Sequence, residues 1–498
     1  MTDESYLLID AGTAFVKVAL LDGRGVLKNL EKIPEPIVRD PDDEFKVDLD
    51  VDQAWSKVRR IVKSWGGSGL LENVAAVSAT AARMAVVFTD AEGNTLYGGP
   101  NVDIRGIETA DEVEEELEDY YERTGRNPPL IFPLARLLWF RDNEEDAYEQ
   151  IAHVLTLNQW FLYKFSGVAA AEVTSAVDTM MLNVRENAWD DQVVEVFDLN
   201  PDILPDVHYP GDVMGNVDAS VAEELGLGRE VLVVCGAGDT QAALLGMGVT
   251  ETDQVGVIAG TTAPCMWVRN EPTFDPEKRY WTNSYTRARW VVEANVGPTG
   301  SLYEWFLNKF FGESEGIDHG KLDDAISATL NGESSAFAFL GPDKMAFGEQ
   351  TGIKPGMFVF PSPASPVEEV FSRGHLGRAV LENVAFAVKL NLDAVAALVG
   401  KPPAEVVLSG GLARSHAFRR VLAGTLNQPV KVPKQVESSL VGLYLLCKPA
   451  VDPEFSVDGF LGTPGYHDVV EPDPVLSGHL ASAYRRWTDL KETRWDVD

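Results

Sequence analysis

The first thirty-five residues of the 498-residue chain set out a pattern of strands and turns. Residues 6–9 (YLLI) are a short apolar run, and residues 15–21 (FVKVALL) form a second run after the turn DAGT. Asp22, Gly23 and Gly25 then turn the chain into a third strand near 26–33. From 51 to 65 the apolar spacing becomes helical, with acidic residues at the start and Lys and Arg later, as the helix dipole favours. Residues 70–78 and 85–89 read as further strands. The same grammar restarts near residue 231, where VLVVCGAGD, VGVIAGTT and WVVEANVG each end a strand. Helices follow at 302–311, 376–398 and 416–426, and a last one at 476–490. The spacing of Leu480, Tyr484 and Trp487 predicts that the last helix docks through an apolar face.

Strands preceding helices, with Gly-rich turns at strand ends, predict an α/β fold in two halves, 1–248 and 249–498, joined near 247–254. Two α/β units of similar plan predict a ligand cleft between them, because such sheets bind ligands beyond the carboxyl ends of their strands. The length favours two large domains over one core. The Gly-rich turns at Asp10, Asp239, Gly260 and Gly410 are therefore expected to face one shared site.

Composition narrows the function. An apolar share of 45 % is ample for sizeable cores and argues against general disorder. No apolar run approaches the ~18 residues of a membrane span, and the start MTDESYLLID is acidic and enters a strand directly. The expectation is a cytoplasmic protein that does not engage membranes. Lys and Arg total 42 against 77 Asp and Glu, a formal charge of -35 spread along the chain. Such a surface repels nucleic acid and anionic lipid. It fits a hydrated carboxylate surface that keeps a protein soluble in concentrated salt, hence a halophilic source. Cys235, Cys265 and Cys447 are far apart, form no CxxC and read as reduced core residues.

Asp239 carries the first chemical hint. In VVCGAGDTQAALLG a buried strand ends on Cys235, and a Gly-rich turn then lifts a lone carboxylate before small apolar residues resume. That placement suits a general base; the plain alternative is a helix N-cap, since Asp precedes Thr240.

Several ordered motifs extend this reading. DAGTAFVK (10–17), GAGDTQAALLGMG (236–248), IAGTTA (258–263) and LSGGLARSHAFRRVLAGTLNQPV (408–430) resemble, in order and spacing, the phosphate, catalytic-aspartate, Gly-Thr and adenosine segments of the FGGY carbohydrate kinases, members of the actin-like ATPase superfamily. The likeness runs from about residue 5 to 490. FPLARLLWFRDN (132–143) is close to a family signature, with Arg136 where lysine is usual. Asp103 and Arg105 in GPNVDIRG resemble the family's sugar-contacting pair, and Arg83 aligns with an arginine that touches polyol in glycerol-kinase-like members. There are departures. VFPSPASPVEEVF (359–371) replaces an expected Pro-Gly-Glu-Arg-Pro segment, Gln159 stands where aspartate is common, and Met84 stands where glycerol kinases carry glutamate. Glycerol becomes a poorer fit, and the first half is most similar in texture to autoinducer and xylulose kinases.

The resemblance implies an ATP-dependent sugar kinase with actin-like (ribonuclease H-like) domains, Asp239 as base and Asp10 holding hydrated Mg²⁺. Gly12, Thr13, Lys17, Gly260, Thr261 and Thr262 would serve the phosphates, and Gly410, Gly411 and Ser415 the nucleoside. Lys17 has the alternative of a solvated strand residue, Thr261 and Thr262 of ordinary turn chemistry, Asp103 with Arg105 of a surface ion pair, and Ser415 of a helix cap. Trp160, Trp189 and Trp305 read as core residues more readily than as a sugar platform. The implied partners are ATP and a small sugar, and the resemblance admits a homodimer. Two other classes compete: a non-catalytic actin-like nucleotide switch, which needs no sugar pair, and a sugar-binding regulator, which the charge and the missing helix-turn-helix disfavour. The acceptor is expected to be a free pentose, pentulose or related polyol. The alternative is an already phosphorylated sugar such as ribose 1-phosphate, because Arg83, Arg105, Arg287 and Arg289 are conspicuous in a chain so short of cations.

Overall fold

The computed structural model describes residues 4–311, 318–345, 356–361, 371–435 and 437–493. The chain forms two compact units: Met1–Gly248 with Arg269–Val291 and Glu437–Thr463, and Val249–Val268 with Val292–Val436 and Pro464–Asp498. Among the described residues no helix is long and apolar enough to cross a membrane.

The first unit is built on a six-stranded mixed sheet in the order Val213–Asn216, Leu232–Val234, Val74–Ala81, Ser5–Ala11, Phe15–Asp22, Leu27–Pro34. Ser5–Ala11 runs parallel to Val74–Ala81 and antiparallel to Phe15–Asp22. Helices cover both faces of this sheet, which explains why YLLI is a continuous apolar run and not an alternating one. Leu7 and Ile9 pack with Trp55, Val58 and Val62 of the helix Val51–Gly67 and with Trp160 and Phe165 of the helix Leu157–Ser166. Tyr6 and Leu8 pack on the opposite face with Leu440, Val441 and Tyr444 of the helix Ser438–Val451. Asp50 caps the first of these helices, its Oδ1 accepting the Gln53 amide at 2.8 Å.

The second unit carries the strand Arg289–Pro298 from Val292 onward, then Thr262–Arg269 up to Val268, Gln254–Ile258, Glu405–Ser409, Val430–Pro433 and His467–Val470, in that spatial order. Its long helix Arg373–Val399 and the helix His416–Leu426 pack beside the sheet. The last helix, Pro474–Thr493, docks as its spacing predicts: Leu480 and Trp487 are buried, and the indole of Trp487 stacks on Phe339 and donates to the Ala338 carbonyl at 3.2 Å.

Boundaries differ in places. Residues 70–73 are not strand: the Val51–Gly67 helix unwinds through Ser68 and Gly69, the Leu70 amide turns back to the Trp65 carbonyl, and Leu70 stays exposed. Pairing with Ser5–Ala11 begins only at Val74. The expected helix at 302–311 begins at Gly300 and ends at Phe310. Of the departing segment 359–371, residues 362–370 lie outside the described residues. The three cysteines are free and buried, as expected of core residues.

One helix pair in the first unit is unusually close. A Cβ at Gly442 would lie 1.8 Å from the Ala242 carbonyl oxygen, and one at Gly246 would lie 1.9 Å from the Ser438 carbonyl oxygen. The helices Asp239–Gly246 and Ser438–Val451 therefore cross with backbone against backbone, which only glycine permits. Gly442→Ala should destabilise the protein by ~1–3 kcal/mol through overpacking, read as a lower urea midpoint with an unchanged slope. A midpoint equal to that of the parent would mean the helices have room to spare.

Candidate active site

Asp239 is the first residue of its helix, and Gly238 takes the N-cap position. The carboxylate is thus not the cap; its Oδ1 accepts the adjacent Thr240 amide at 2.6 Å. Arg83 lies beside it, its Nε 3.9 Å from Asp239 Oδ1 and 4.0 Å from Asp178 Oδ2. Arg83 also donates to Asn283 Oδ1 at 3.2 Å. Arg126, wholly buried, donates to Asp178 Oδ1 at 2.8 Å and to Asn283 Oδ1 at 2.7 Å. The Trp281 ring faces both guanidinium groups, 5.8 and 5.9 Å away. Asp178 Oδ2 is buried without a hydrogen bond among the described residues.

Burial raises the Asp239 carboxyl to about 6, with Arg83 pulling it down and Asp10 pushing it further up. The side chain keeps 32 % of its surface open, so solvent screens part of this penalty, but the direction follows from two nearby carboxylates and incomplete hydration. A carboxylate poised near neutral pH can take up a proton from a hydroxyl.

Asp10 and Lys17 face each other in the register of the strand pair Ser5–Ala11 and Phe15–Asp22. Lys17 Nζ lies 3.0 Å from Asp10 Oδ2 and 2.8 Å from Glu437 Oε2, and Ser439 donates to Asp10 Oδ2 at 2.8 Å. Burial lowers the lysine's affinity for its proton, but the two carboxylates outweigh it and hold Lys17 above the usual lysine value. Lys17 is therefore not a solvated strand residue. Gly12 and Thr13 form the turn between the strands, with the Gly12 amide on the Phe15 carbonyl at 3.1 Å and Thr13 exposed. No hydrogen bond among the described residues falls on Asp10 Oδ1, and no group of three or more His, Cys, Asp or Glu placed to hold a metal ion by themselves occurs among them. That donor set fits a hard cation held by one carboxylate, waters and phosphate oxygens; it does not fit an all-protein cage.

Asp103 and Arg105 form a separate buried network. Asp103 accepts the Val47 amide at 3.0 Å, Arg105 Nε at 2.8 Å and the Tyr97 hydroxyl, while Arg105 also pairs with Asp48 and lies over the Tyr97 ring. The pair is no surface ion pair: Asp103 is wholly buried and Arg105 is 8 % exposed. Arg136 links the two neighbourhoods by donating to the carbonyls of Met84 and Pro100. Arg287 is held elsewhere, by Asp212 and over the Tyr209 ring, and Arg289 donates to the Ala288 carbonyl.

In the second unit a cleft of about 740 Å³ is lined by Gly260, Thr261, Gly300, Tyr303, Gly411 and Ser415, among others. The Gly260 carbonyl accepts the Gly300 amide at 2.8 Å, which seats the start of the helix Gly300–Phe310 against the Gly-Thr turn. Thr262 already belongs to the next strand. Gly410, at φ 93°, is in the left-handed region, and a Cβ there would lie 2.5 Å from the Ala259 carbonyl. This brings the turn after Glu405–Ser409 flat against the neighbouring strand end and leaves Gly411 facing open space. Ser415 caps the helix His416–Leu426, accepting the Phe418 amide at 3.0 Å and donating to Asp323. Trp160 is core, Trp189 half-buried and Trp305 exposed.

Asp178, Asn283 and Arg126 around Arg83, and Glu437 and Ser439 around Asp10, carried no sequence signal, since each is one ordinary polar residue far along the chain from its partner. Replacement of Asp239 by Asn tests the electrostatics without an assay of activity. A carboxyl raised from 3.8 to about 6 in the folded state costs stability as pH rises through that interval. Asp239→Asn should therefore gain stability relative to the parent as pH rises from about 4 to 7, read as a widening difference in denaturation midpoint. A difference that stays flat with pH would contradict the raised value.

Residues 5–246 match the model for the N-terminal domain of the FGGY family of carbohydrate kinases, and residues 255–450 match the model for its C-terminal domain. The chain is 28 % identical over 449 residues to YoaC of Bacillus subtilis (strain 168), named as a candidate sugar kinase, covering 89 % of each chain. It is 26 % identical over 452 residues to the autoinducer-2 kinase of Escherichia coli O9:H4 (strain HS), covering 88 % of this chain and 84 % of that one. The fold is similar to the crystal structure of gluconate kinase from Lactobacillus acidophilus, with a TM-score of 0.85 at 17 % identity over 99 % of both chains. These matches set aside the non-catalytic switch and the sugar-binding regulator. Two domain models matched in order along the chain, on a two-unit α/β fold, make it a phosphotransferase that belongs to the FGGY family of carbohydrate kinases.

Proposed function

We propose that the protein transfers the γ-phosphoryl group of ATP to a hydroxyl of a small uncharged sugar, a pentose, pentulose or related polyol. The observation that carries this reading is Asp239: a partly buried carboxylate at a helix start, raised toward neutral pH, beside Arg83 and within electrostatic reach of Asp10. As the acceptor oxygen bonds to the γ-phosphorus and the bond to the β–γ bridging oxygen breaks, Asp239 takes the hydroxyl proton and ADP leaves. Lys17, Gly12 and Thr13, with Gly260, Thr261 and Thr262, serve the phosphates, and Gly410, Gly411 and Ser415 the nucleoside end. Asp10 would hold magnesium, which when bound with ATP neutralises phosphate charge. Arg83 orients the acceptor, and Arg105 is the member of the Asp103 pair with an edge left to offer it. ATP as donor fits a cytoplasmic setting.

Charge favours an uncharged acceptor over ribose 1-phosphate. Arg83 lies between Asp178 and Asp239, Arg105 is held by Asp103 and Asp48, and Arg287 by Asp212. A phosphate dianion brought to Arg83 would also approach the two carboxylates that flank its guanidinium, so its attraction is offset by like-charge repulsion.

Asp239→Asn should lower kcat by ~10²–10⁴-fold while ADP still binds, and the parent's kcat/KM should rise with pH through an apparent pKa near 6. Near-normal kcat in the variant would remove Asp239 from the mechanism. In concentrated salt, a panel of free pentoses, pentuloses, polyols, gluconate and ribose 1-phosphate should give turnover with the uncharged members. Arg287→Gln and Arg289→Gln should change acceptor KM by less than about twofold. Turnover confined to the phosphorylated sugar, with a large KM rise in either variant, would reverse the assignment.

A further inference from the structure

The strand-to-helix turn that presents Asp239 is gripped from a part of the chain more than sixty residues earlier. Glu172, wholly buried, accepts the Thr174 amide on Oε1 at 2.6 Å and the Thr174 hydroxyl on Oε2 at 2.9 Å, with the Ser175 amide on Oε2 at 3.2 Å. Thr174, also wholly buried, accepts the Gly238 amide on the same hydroxyl oxygen at 2.8 Å. A hydroxyl has one proton to donate. With that proton committed to Glu172, the Thr174 lone pairs are turned to Gly238, and the carboxylate sets the direction of the whole chain of bonds. The Thr80 hydroxyl holds the preceding residue through the Ala237 carbonyl at 2.6 Å. The single peptide group between Ala237 and Gly238, one residue before Asp239, is thus held at both its carbonyl and its N–H. The same segment ends at Asp178, the carboxylate beside Arg83, so one buried stretch bears on both the carboxylate and the guanidinium of the site.

We propose that Glu172 and Thr174 are positioning residues for phosphoryl transfer: a buried relay, Glu172 to Thr174 to the Gly238 amide, that sets where the Asp239 carboxylate stands. The inference rests on Asp239 as the proton acceptor. Neither residue touches a reacting atom; each acts through the backbone amide next to Asp239. Thr174→Val keeps the side-chain shape, removes the acceptor from Gly238 and removes a donor from Glu172. Thr174→Ser keeps the hydroxyl.

The experiment measures ATP turnover with D-xylulose, or with whichever free sugar of the panel the parent turns over fastest, alongside ADP affinity by titration calorimetry. Thr174→Val should lower kcat by ~10–100-fold, the scale of a misplacement on the order of 1 Å at a reacting group, with ADP affinity within about threefold of the parent. Thr174→Ser should restore kcat to within about threefold. In an Asp239→Asn background, Thr174→Val should cost less than about twofold more, because the group it positions is gone. If Thr174→Val fails to fold, Glu172→Gln, whose amide keeps only one of the two accepting oxygens that hold the Thr174 amide, the Thr174 hydroxyl and the Ser175 amide, should lower kcat with the same non-additivity. Unchanged kcat in a folded Thr174→Val or Glu172→Gln protein overturns the relay, as does a full further loss in the Asp239→Asn background. An Asp239→Asn protein that keeps its turnover overturns the base assignment instead, so the two failures are distinct.

Discussion

The backbone-to-backbone crossing of the helices Asp239–Gly246 and Ser438–Val451 is the constraint on which the first unit depends. Gly246 and Gly442 remove the two Cβ atoms that would hold the helices apart. The crossing carries the later helix onto the sheet face that contains Tyr6, Leu8, Ala19 and Leu21, where Leu440, Val441 and Tyr444 complete the apolar core. Burying each such side chain contributes about 1.5–3 kcal/mol, so a segment remote in sequence becomes part of the first unit's stability. The same crossing delivers Glu437 and Ser439 to Lys17 and Asp10. Core packing and candidate chemistry thus share one geometric cause.

Electrostatics in the first unit is a matter of scarce cations and carefully divided carboxylates. Lys17 is shared between Asp10 and Glu437, and Arg83 stands between Asp178 and Asp239 at similar distances. Arg126 secures Asp178 from the buried side, so Asp178 competes with Asp239 for Arg83 and prevents the guanidinium from closing on either. Asp239 is left under-compensated, which raises its proton affinity in the direction a base at neutral pH requires. A fully paired Asp239 would be more stable and less basic. The raised carboxyl therefore costs stability above its pKa, and in the proposed mechanism that cost is what makes Asp239 a better proton acceptor.

In the second unit geometry is set by glycine and by capping. The left-handed Gly410 lets its turn lie against Ala259, and Asp323 with Ser415 satisfies the start of the helix His416–Leu426. That helix terminus is thus capped by a side-chain oxygen and a carboxylate, and the amides of Gly260, Thr299 and Gly300 are likewise taken up by backbone carbonyls, which fixes the Gly-Thr turn against the start of the helix Gly300–Phe310.

The sequence by itself determined the elements and the short-range motifs. Continuous apolar runs marked strands buried on both faces, helical spacing placed the docked Trp487, and Gly-rich strand ends located Asp10, Asp239, Gly260 and Gly410. These signals are local: each depends on residues within a few positions, where periodicity and turn chemistry act. Only the tertiary structure decided what those residues meet. That Asp239 is not a helix cap follows from Gly238 taking the position, that Lys17 is paired follows from a residue 420 positions away, and that Asp103 is saturated by protein donors follows from Val47 and Tyr97. Asp178, Asn283, Glu172 and Thr174 were illegible for the same reason. A polar residue in a sequence carries no mark of its partner, and burial, which turns that partner into a necessity, exists only once the chain has folded.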